Sequence, residues 1–305
     1  MRIAVIGAGA MGSIYGGHLS AKNQVYLIDT SQKVVDAVNR NGLRIEENGE
    51  VHLYHPTAAV SSEGLEEADL VILFVKALYS RQALKENHSL IGADTYVMTL
   101  QNGSGHEDIL REFVAENRII IGTTEDNGAV LDSGYVRRGG QGNTNVGMPA
   151  GDKEGFLMKL KESFDCCGFH VRIHENIQQL IWNKMFTNIS LSAVTAVLKA
   201  EMGYVAENPY AWKMAEELLK EACLVARAMG LDADEEKLAA EIRKTARNSP
   251  SGVTSICADI RNGRKTEVDT ISGSVVRAAK KVGVNVPVHE FVVNAIHAME
   301  EYISI

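Results

Sequence analysis

Apolar residues fall into short continuous runs in the first half of the chain and into spaced stripes in the second. The runs "RIAVIG", "QVYLID", "ADLVILFVK", "DTYVMTLQNG" and "NRIIIGTTE" are short and rich in β-branched residues. That pattern predicts strands covered on both faces. Between the first runs, "AMGSIYGGHLSAK" predicts a small-residue helix. "SQKVVDAVNRNG" predicts another, with Ser31 as its N-cap and Gly42 just past its end. "LRIEENGEVHLYHP" predicts a hairpin turning at Asn48-Gly49. This β-helix-β rhythm specifies a parallel sheet with helices on both faces. Residues 127–149, rich in Gly, Asn and β formers, predict short antiparallel strands added to the sheet edge. "KEGFLMKLKESFDCCG" is amphipathic, and "FHVRIH" reads as a last strand.

After about His174 the pattern is helical only. Ala211, Met214, Ala215, Leu218, Leu219, Ala222, Val225, Ala226 and Met229 form one stripe at helical spacing. "EVDTISGSVVRAAKKVG" and "PVHEFVVNAIHAMEEYI" predict two more helices. The expected fold is therefore α/β. A Rossmann-type doubly wound sheet occupies residues 1–172, and an all-helical domain occupies 173–305.

Composition narrows the function classes. A chain of 305 residues, 45% hydrophobic and 23% charged, can build two cores. A net charge of -8 argues against a nucleic-acid surface. No apolar run is long enough for a membrane span, and no signal peptide is visible. Cys166, Cys167, Cys223 and Cys257 lack metal-ligand spacing, and adjacent cysteines pair poorly. The expectation is a cytoplasmic protein with reduced thiols and no metal.

"VIGAGAMG" places Gly7, Gly9 and Gly12 in G-x-G-x-x-G spacing, with Ala10 and Met11 completing the loop. The first glycine permits a tight turn, the second lets a pyrophosphate approach the backbone, and the third lets helix and strand pack closely. The helix that opens there offers N–H groups and a positive dipole end to an anion. The motif follows a strand and precedes a second strand ending in Asp29, the context of a dinucleotide site. A carboxylate at Asp29 suits a ribose 2′-hydroxyl and repels a 2′-phosphate, which favours NAD(H). Read structurally, Asp29 is instead a cap for the helix behind it.

In such sheets ligands lie at the carboxyl ends of strands. Two ends carry polar groups here, Lys76 in "FVKA" and Asn102 in "LQNGSGHED". Each also has a plainer reading, as a solvated lysine and a turn asparagine. Further on, "IWNKMFTNIS" sets Lys184 and Asn188 four apart, on one face of a helix. Carbonyl reduction needs a proton on oxygen as well as a hydride on carbon. A partly buried lysine, its pKa lowered by desolvation, is a competent acid and steadies developing oxyanion charge. The alternative is a lysine snorkelling to solvent. Ser255 and Glu267 stand before an apolar helix. There a carboxylate is favoured by the dipole, or could grip a substrate hydroxyl.

Taken together, the chain resembles the ketopantoate reductase family (2-dehydropantoate 2-reductases). The resemblance spans essentially the whole sequence. It rests on "GAGAMG", "VKA" at 75–77, "QNG" at 101–103, "GTT" at 122–124, "WNKMFTN" at 182–188, "TSICADIRNGRKTEVDTISG" at 254–273 and "VNVP" at 284–287. It implies a Rossmann domain and a helical domain with the active site in the cleft between them. The implied reaction is reduction of ketopantoate to pantoate, usually with NADPH, on the route to pantothenate. It further implies Lys184 as general acid, Glu267 on the substrate hydroxyl and Ser255 on the carboxylate. Asn188 would bind substrate, Asn102 substrate and cofactor, and Lys76 would lie beside both; Glu267 also borders the cofactor.

Two positions depart from the family pattern. "LIDTSQ" has Asp29 and Thr30 where many members carry an arginine for the 2′-phosphate. Ser192 stands where many carry a second asparagine, which makes it a substrate-site candidate with a shorter hydroxyl. Both departures, with "NGSGHED", are similar to the NAD-dependent D-2-hydroxyacid (D-mandelate type) dehydrogenases of the same superfamily. The cofactor expectation is thus NAD(P)H, NAD(H) from Asp29 and NADP(H) from the family. The partner is a small 2-oxo acid, with no nucleic acid or membrane, and a homodimer is the assembly to test. A β-hydroxyacid dehydrogenase shares a lysine and asparagine one turn apart, but the Ser255–Glu267 segment argues against it. A non-catalytic dinucleotide-binding protein would not need Lys184 and Glu267 together.

Overall fold

The computed structural model describes residues 1–303. The chain forms two compact units, Met1–Gln101 with His106–Ile177, and Asn102–Gly105 with the chain from Gln178 onward. The expected division after residue 172 falls inside the last strand; the observed one follows Ile177.

The first unit holds twelve strands among its described residues: β1 Arg2–Ile6, β2 Gln24–Ile28, β3 Leu43–Glu47, β4 Glu50–Tyr54, β5 Thr57–Ala59, β6 Leu70–Leu73, β7 Tyr96–Thr99, β8 Ile119–Thr124, β9 Asn127–Asp132, β10 Tyr135–Gly140, β11 Asn143–Gly147 and β12 His170–Ile173. Its helices are α1 Ala10–Ser20, α2 Gln32–Asn41, α3 Ser80–Glu86, α4 His106–Leu110 and α5 Phe156–Asp165. The main sheet runs β12-β11-β8-β7-β6-β1-β2-β5. Its six strands from β8 to β5 are parallel, with Ile3 paired to Val25 on one side and Leu70 on the other. This is the doubly wound order, whose ligand crevice opens at the carboxyl ends where the order reverses.

One sequence expectation needs correction. Of residues 127–149, only β11 joins the main sheet, antiparallel to β8. β9 and β10 instead join the β3–β4 hairpin in a separate sheet, β4-β3-β10-β9. The reason lies in α1, which contacts β1 and β2 as well as β3, β4, β9 and β10. Every residue from Gly12 to Leu19 is buried, so this helix needs a cover on both sides. The second sheet supplies it and is fastened by a buried ion pair: Arg138 Nε and Nη2 donate to Asp126 Oδ1 at 2.9 and 2.7 Å. The hairpin turns as expected, with φ of 52° at Asn48 and 82° at Gly49.

The second unit is helical: α6 Ile177–Leu198, whose first residue closes the first unit, then α7 Met202–Glu207, α8 Pro209–Ala228, α9 Glu235–Asn248, α10 Ser255–Arg261, α11 Ser272–Val282 and α12 Pro287–Ile303. α8 starts with Pro209 behind the Asn208 cap, whose side chain accepts the N–H groups of Tyr210 and Ala211. It buries the expected stripe except Met214 and Met229, which stay partly exposed. Glu221 on α8 caps α12, accepting from Val288 N, His289 N and His289 Nδ1 at 2.9, 3.0 and 2.8 Å. No helix among the described residues is long and apolar enough to cross a membrane.

Candidate active site

In the first unit, β1 delivers the chain into the glycine turn. Gly7 adopts φ +102°, and a Cβ there would lie 2.9 Å from the backbone of Phe74 and Val75. Only glycine fits such a position. Over Gly9 the situation is the reverse: apart from its neighbours in the chain, no described protein atom lies within 4 Å of where a Cβ would be. The space above the loop is open to a ligand. Gly9 caps α1 with extended backbone, and the first-turn N–H groups at Ala10, Met11 and Gly12 have no helical acceptor. This is the geometry of a phosphate cradle.

Asp29 follows β2 and is fixed on both sides. Its Oδ2 accepts the Ala8 N–H at 2.8 Å, and its Oδ1 accepts the Ser31 N–H at 2.9 Å. The carboxylate therefore caps the chain entering α2 and braces the glycine turn together. Ser31 occupies the N-cap position, but its own side chain makes no cap bond. Asp29 borders a cleft of about 410 Å³ lined also by Gly7, Thr30, Val60, Val75, Ala83, Glu86 and Asn87. That volume suits a small ligand. Lys76 is exposed, three residues past β6, and its carbonyl accepts the Tyr79 N–H at 2.9 Å. Gln101, which sequence reasoning passed over, donates from Nε2 to the Val75 carbonyl at 2.6 Å and pins this turn. Its signal was a polar residue at the end of a buried strand. The open loop, the fixed carboxylate and the cleft fit the phosphate, ribose and base of a dinucleotide.

In the second unit, α6 carries Lys184, Asn188 and Ser192 at successive intervals of four, on one face. The stripe sinks as it proceeds. Lys184 is exposed, Asn188 half-buried and Ser192 only 1% exposed. The partial burial expected of Lys184 is thus absent, because α6 turns Trp182, Met185, Phe186 and Ile189 inward instead. Ser192 Oγ is buried with no hydrogen-bond partner among the described residues.

Three residues beyond Ser192, Thr195 Oγ1 meets Thr254 Oγ1 at 2.7 Å. Thr195 donates to the Leu191 carbonyl, which can only accept, so Thr254 is the donor of the shared bond. Thr254 is the N-cap of α10, its Oγ1 accepting the Cys257 N–H, and Ser255 is the exposed first residue of that helix. Thr254, next to Ser255, is therefore held against α6 by a threonine pair that sequence spacing did not reveal.

Glu267 does not stand at a helix start as expected. α11 begins at Ser272, and Glu267 opens the separate turn before it, its carbonyl accepting the N–H groups of Thr270 and Ile271 at 3.1 and 3.2 Å. The helix-dipole account of its carboxylate lapses with that. The loop Asn102–Gly105 belongs to this unit and docks on the same turn, Ser104 N–H donating to the Thr270 carbonyl at 3.2 Å. Gly103 at φ +106° permits the approach, since a Cβ would sit 2.2 Å from that carbonyl oxygen. The loop that carries Asn102 and the turn that Glu267 opens thus meet at Thr270.

Comparison with known proteins follows the same lines. The sequence model described as Ketopantoate reductase PanE/ApbA matches residues 3–151, and its C-terminal counterpart matches 176–300. A 2-dehydropantoate 2-reductase of Lactococcus lactis subsp. lactis is 32% identical over 310 residues, covering 100% of this chain and 99% of the relative. The ternary structure of D-mandelate dehydrogenase with NADH and anilino(oxo)acetate is similar at TM-score 0.87 and 31% identity, with 100% of both chains covered. A PanE/ApbA family ketopantoate reductase from Ralstonia eutropha JMP134 has TM-score 0.87 and 25% identity over 100% of both chains.

Proposed function

The chain belongs to the ketopantoate reductase family, and on that premise we propose that it reduces a branched 2-oxo acid, 2-dehydropantoate first, to the 2-hydroxy acid. A reduced nicotinamide dinucleotide, when bound, supplies the hydride. The chain supplies the rest. The glycine loop holds the pyrophosphate, Asp29 the adenosine ribose, and Lys76 and Asn102 border the nicotinamide end. Ser255 takes the substrate carboxylate, Asn188 and Ser192 line its branched carbon, and Glu267 accepts its distal hydroxyl and borders the cofactor. Lys184 donates the proton to the carbonyl oxygen as hydride reaches the carbon, giving a neutral secondary alcohol. Its exposure lets water return the proton afterwards. Bound ligands would supply the desolvation that the lysine lacks by itself.

The observation that carries this reading is the α6 face, where Lys184, Asn188 and Ser192 run towards the Thr195–Thr254 bond beside Ser255. For the cofactor, we favour NADH over the family's NADPH. Asp29 and Glu86 both line the cleft, and no lysine or arginine is among its described lining residues. A 2′-phosphate would meet two carboxylates there. The D-mandelate dehydrogenase similar to this chain was solved with NADH.

A second reading has its own observation. Ser192 replaces a longer amide, and the same D-mandelate dehydrogenase covers the whole chain. This favours an NAD-dependent D-2-hydroxyacid dehydrogenase acting on 2-oxo acids without the distal hydroxyl. Mass analysis of products formed from a mixture of 2-dehydropantoate and 2-oxoisovalerate with NADH separates the two. Preferential gain of two hydrogens on 2-dehydropantoate supports the first reading, and sparing of it supports the second. No reduction of either, nor of phenylglyoxylate, contradicts both.

A further inference from the structure

The turn that Glu267 opens is tied to the last helix, α12, on both sides of that residue. Thr266, just before Glu267, is buried, and its N–H donates to Glu300 Oε1 at 2.7 Å. The second oxygen of the same carboxylate, Oε2, accepts from His297 Nδ1 at 3.0 Å. His297 Nε2 then donates to Asp269 Oδ1 at 3.2 Å, two residues past Glu267. Between the two tethers Val268 is fully buried, and its N–H donates to Thr266 Oγ1 at 3.2 Å. The other end of the turn carries the Asn102–Gly105 loop, through the Ser104 bond to the Thr270 carbonyl.

The pair on α12 is ionic. The imidazole has a carboxylate oxygen at each nitrogen, and ionised carboxylates only accept, so both nitrogens donate and the ring is cationic. Burial lowers the His297 pKa, but the bonds to Glu300 and Asp269 raise it more. Burial raises the Glu300 carboxyl, but Thr266 and His297 outweigh that and hold it below the ordinary value. Charge-assisted bonds of this kind are about twice as strong as neutral ones. The Glu300 side chain is only 3% exposed. A buried carboxylate is costly unless paired and bonded, and no step of the reaction above uses this one. What it orders is the backbone on which Glu267 stands.

We propose that Glu300 and His297 are positioning residues for Glu267, their ion pair holding the 266–269 turn so that the Glu267 carboxylate meets the substrate's distal hydroxyl. This rests on the role given to Glu267 above. It goes beyond it by tracing selectivity for that hydroxyl to a pair on α12 that acts through Glu267 and not on the substrate itself.

The test reads the ratio of kcat/KM for 2-dehydropantoate to that for 2-oxoisovalerate, on the full-length protein with saturating reduced cofactor. Glu300→Met, similar in length but without the accepting oxygens, should lower that ratio about tenfold, the scale of one hydrogen bond to a charged group. Glu300→Gln keeps an acceptor for the Thr266 N–H and should hold the ratio within about threefold of wild type. In a Glu267→Gln background, Glu300→Met should move the ratio by no more than about twofold, because the two residues act as one unit. A wild-type ratio in Glu300→Met overturns the proposal. So does a full drop that persists in the Glu267→Gln background, since that is general damage. A Glu300→Gln ratio as low as that of Glu300→Met overturns it too. If Glu300→Met does not fold, His297→Leu takes its place under the first two of these criteria; that side chain is 41% exposed, so its loss spares the core. The reading of Glu267 fails separately. If Glu267→Gln alone leaves the ratio unchanged, or the wild type spares 2-dehydropantoate, the hydroxyl role of Glu267 is lost and this inference with it. A ratio that falls in Glu267→Gln but not in Glu300→Met removes only the α12 pair.

Discussion

Thr195 on α6 and Thr254 at the start of α10 share a hydrogen bond of 2.7 Å between their hydroxyl groups. Each hydroxyl is further committed, Thr195 to the Leu191 carbonyl and Thr254 to the Cys257 N–H. The pair therefore fixes the register of one helix against the other. Ser255 follows Thr254 directly, so the bond ties the start of its helix to α6, the helix that carries Asn188 and Lys184.

Lys184 is placed as the proton donor. Lys184→Ala should lower kcat by ~10²–10⁴-fold, the usual scale for lost general acid catalysis. Because Lys184 is exposed, the fold should be unaffected. Steady-state kinetics alongside thermal melting checks both statements. A kcat within threefold of wild type would remove Lys184 from the mechanism.

Glu267 stands in a turn, not at a helix terminus, so its carboxylate is not there for the dipole. Glu267→Gln should damage kcat/KM more for 2-dehydropantoate than for 2-oxoisovalerate, which has no distal hydroxyl. Comparing the two substrates on the one variant cancels any shared loss of structure. Equal losses would mean that the carboxylate does not grip that hydroxyl.

Ser192 Oγ is buried and makes no protein hydrogen bond among the described residues. Removing it leaves no described partner stranded and relieves a buried hydroxyl without a bond, so Ser192→Ala should leave stability unchanged or raise it by up to about 1–3 kcal/mol. If the hydroxyl is there for substrate, KM should rise several-fold in the same variant. Unchanged KM together with unchanged melting temperature would leave Ser192 as a packing residue.

Glu221 caps α12 and pairs with His289. Burial pushes its carboxyl pKa up, but the His289 ring and two backbone N–H groups outweigh that and hold it below the ordinary value. A carboxyl depressed in the folded state stabilises above its unfolded pKa of about 4.3 and loses that contribution as pH falls through the folded value. Glu221→Gln should cost about 1–3 kcal/mol near neutrality, and its stability should be flatter than wild type below about pH 4. Urea unfolding across that pH range reads both. A variant that tracks wild type throughout would show that the cap contributes nothing.

Much of this was legible in the residues. The glycine loop, Asp29 at the end of β2 and the Asn48-Gly49 turn are local signals, each set by a few neighbours. The stripe of Lys184, Asn188 and Ser192 follows from helical spacing alone. What the sequence hid depends on contacts between distant segments. β9 and β10 left the main sheet because α1 is apolar all round and needed a second cover. Glu267 lay outside α11 because the residues up to Ile271 turn to dock the Asn102–Gly105 loop. The exposure of Lys184 depends on which side of α6 faces the core, and burial of the adjacent Trp182 and Met185 decides that.

The central claim is hydride transfer to a 2-oxo acid from a nicotinamide dinucleotide whose adenosine end faces Asp29. The most direct measurement is kcat/KM for 2-dehydropantoate, 2-oxoisovalerate and phenylglyoxylate, each with NADH and with NADPH, followed by loss of reduced-nicotinamide absorbance. The account predicts turnover highest with 2-dehydropantoate, and a preference for NADH that narrows in Asp29→Asn. Preference for NADPH would contradict the reading of Asp29 and Glu86. Oxidation of neither cofactor by any of the three acids would contradict the reaction itself.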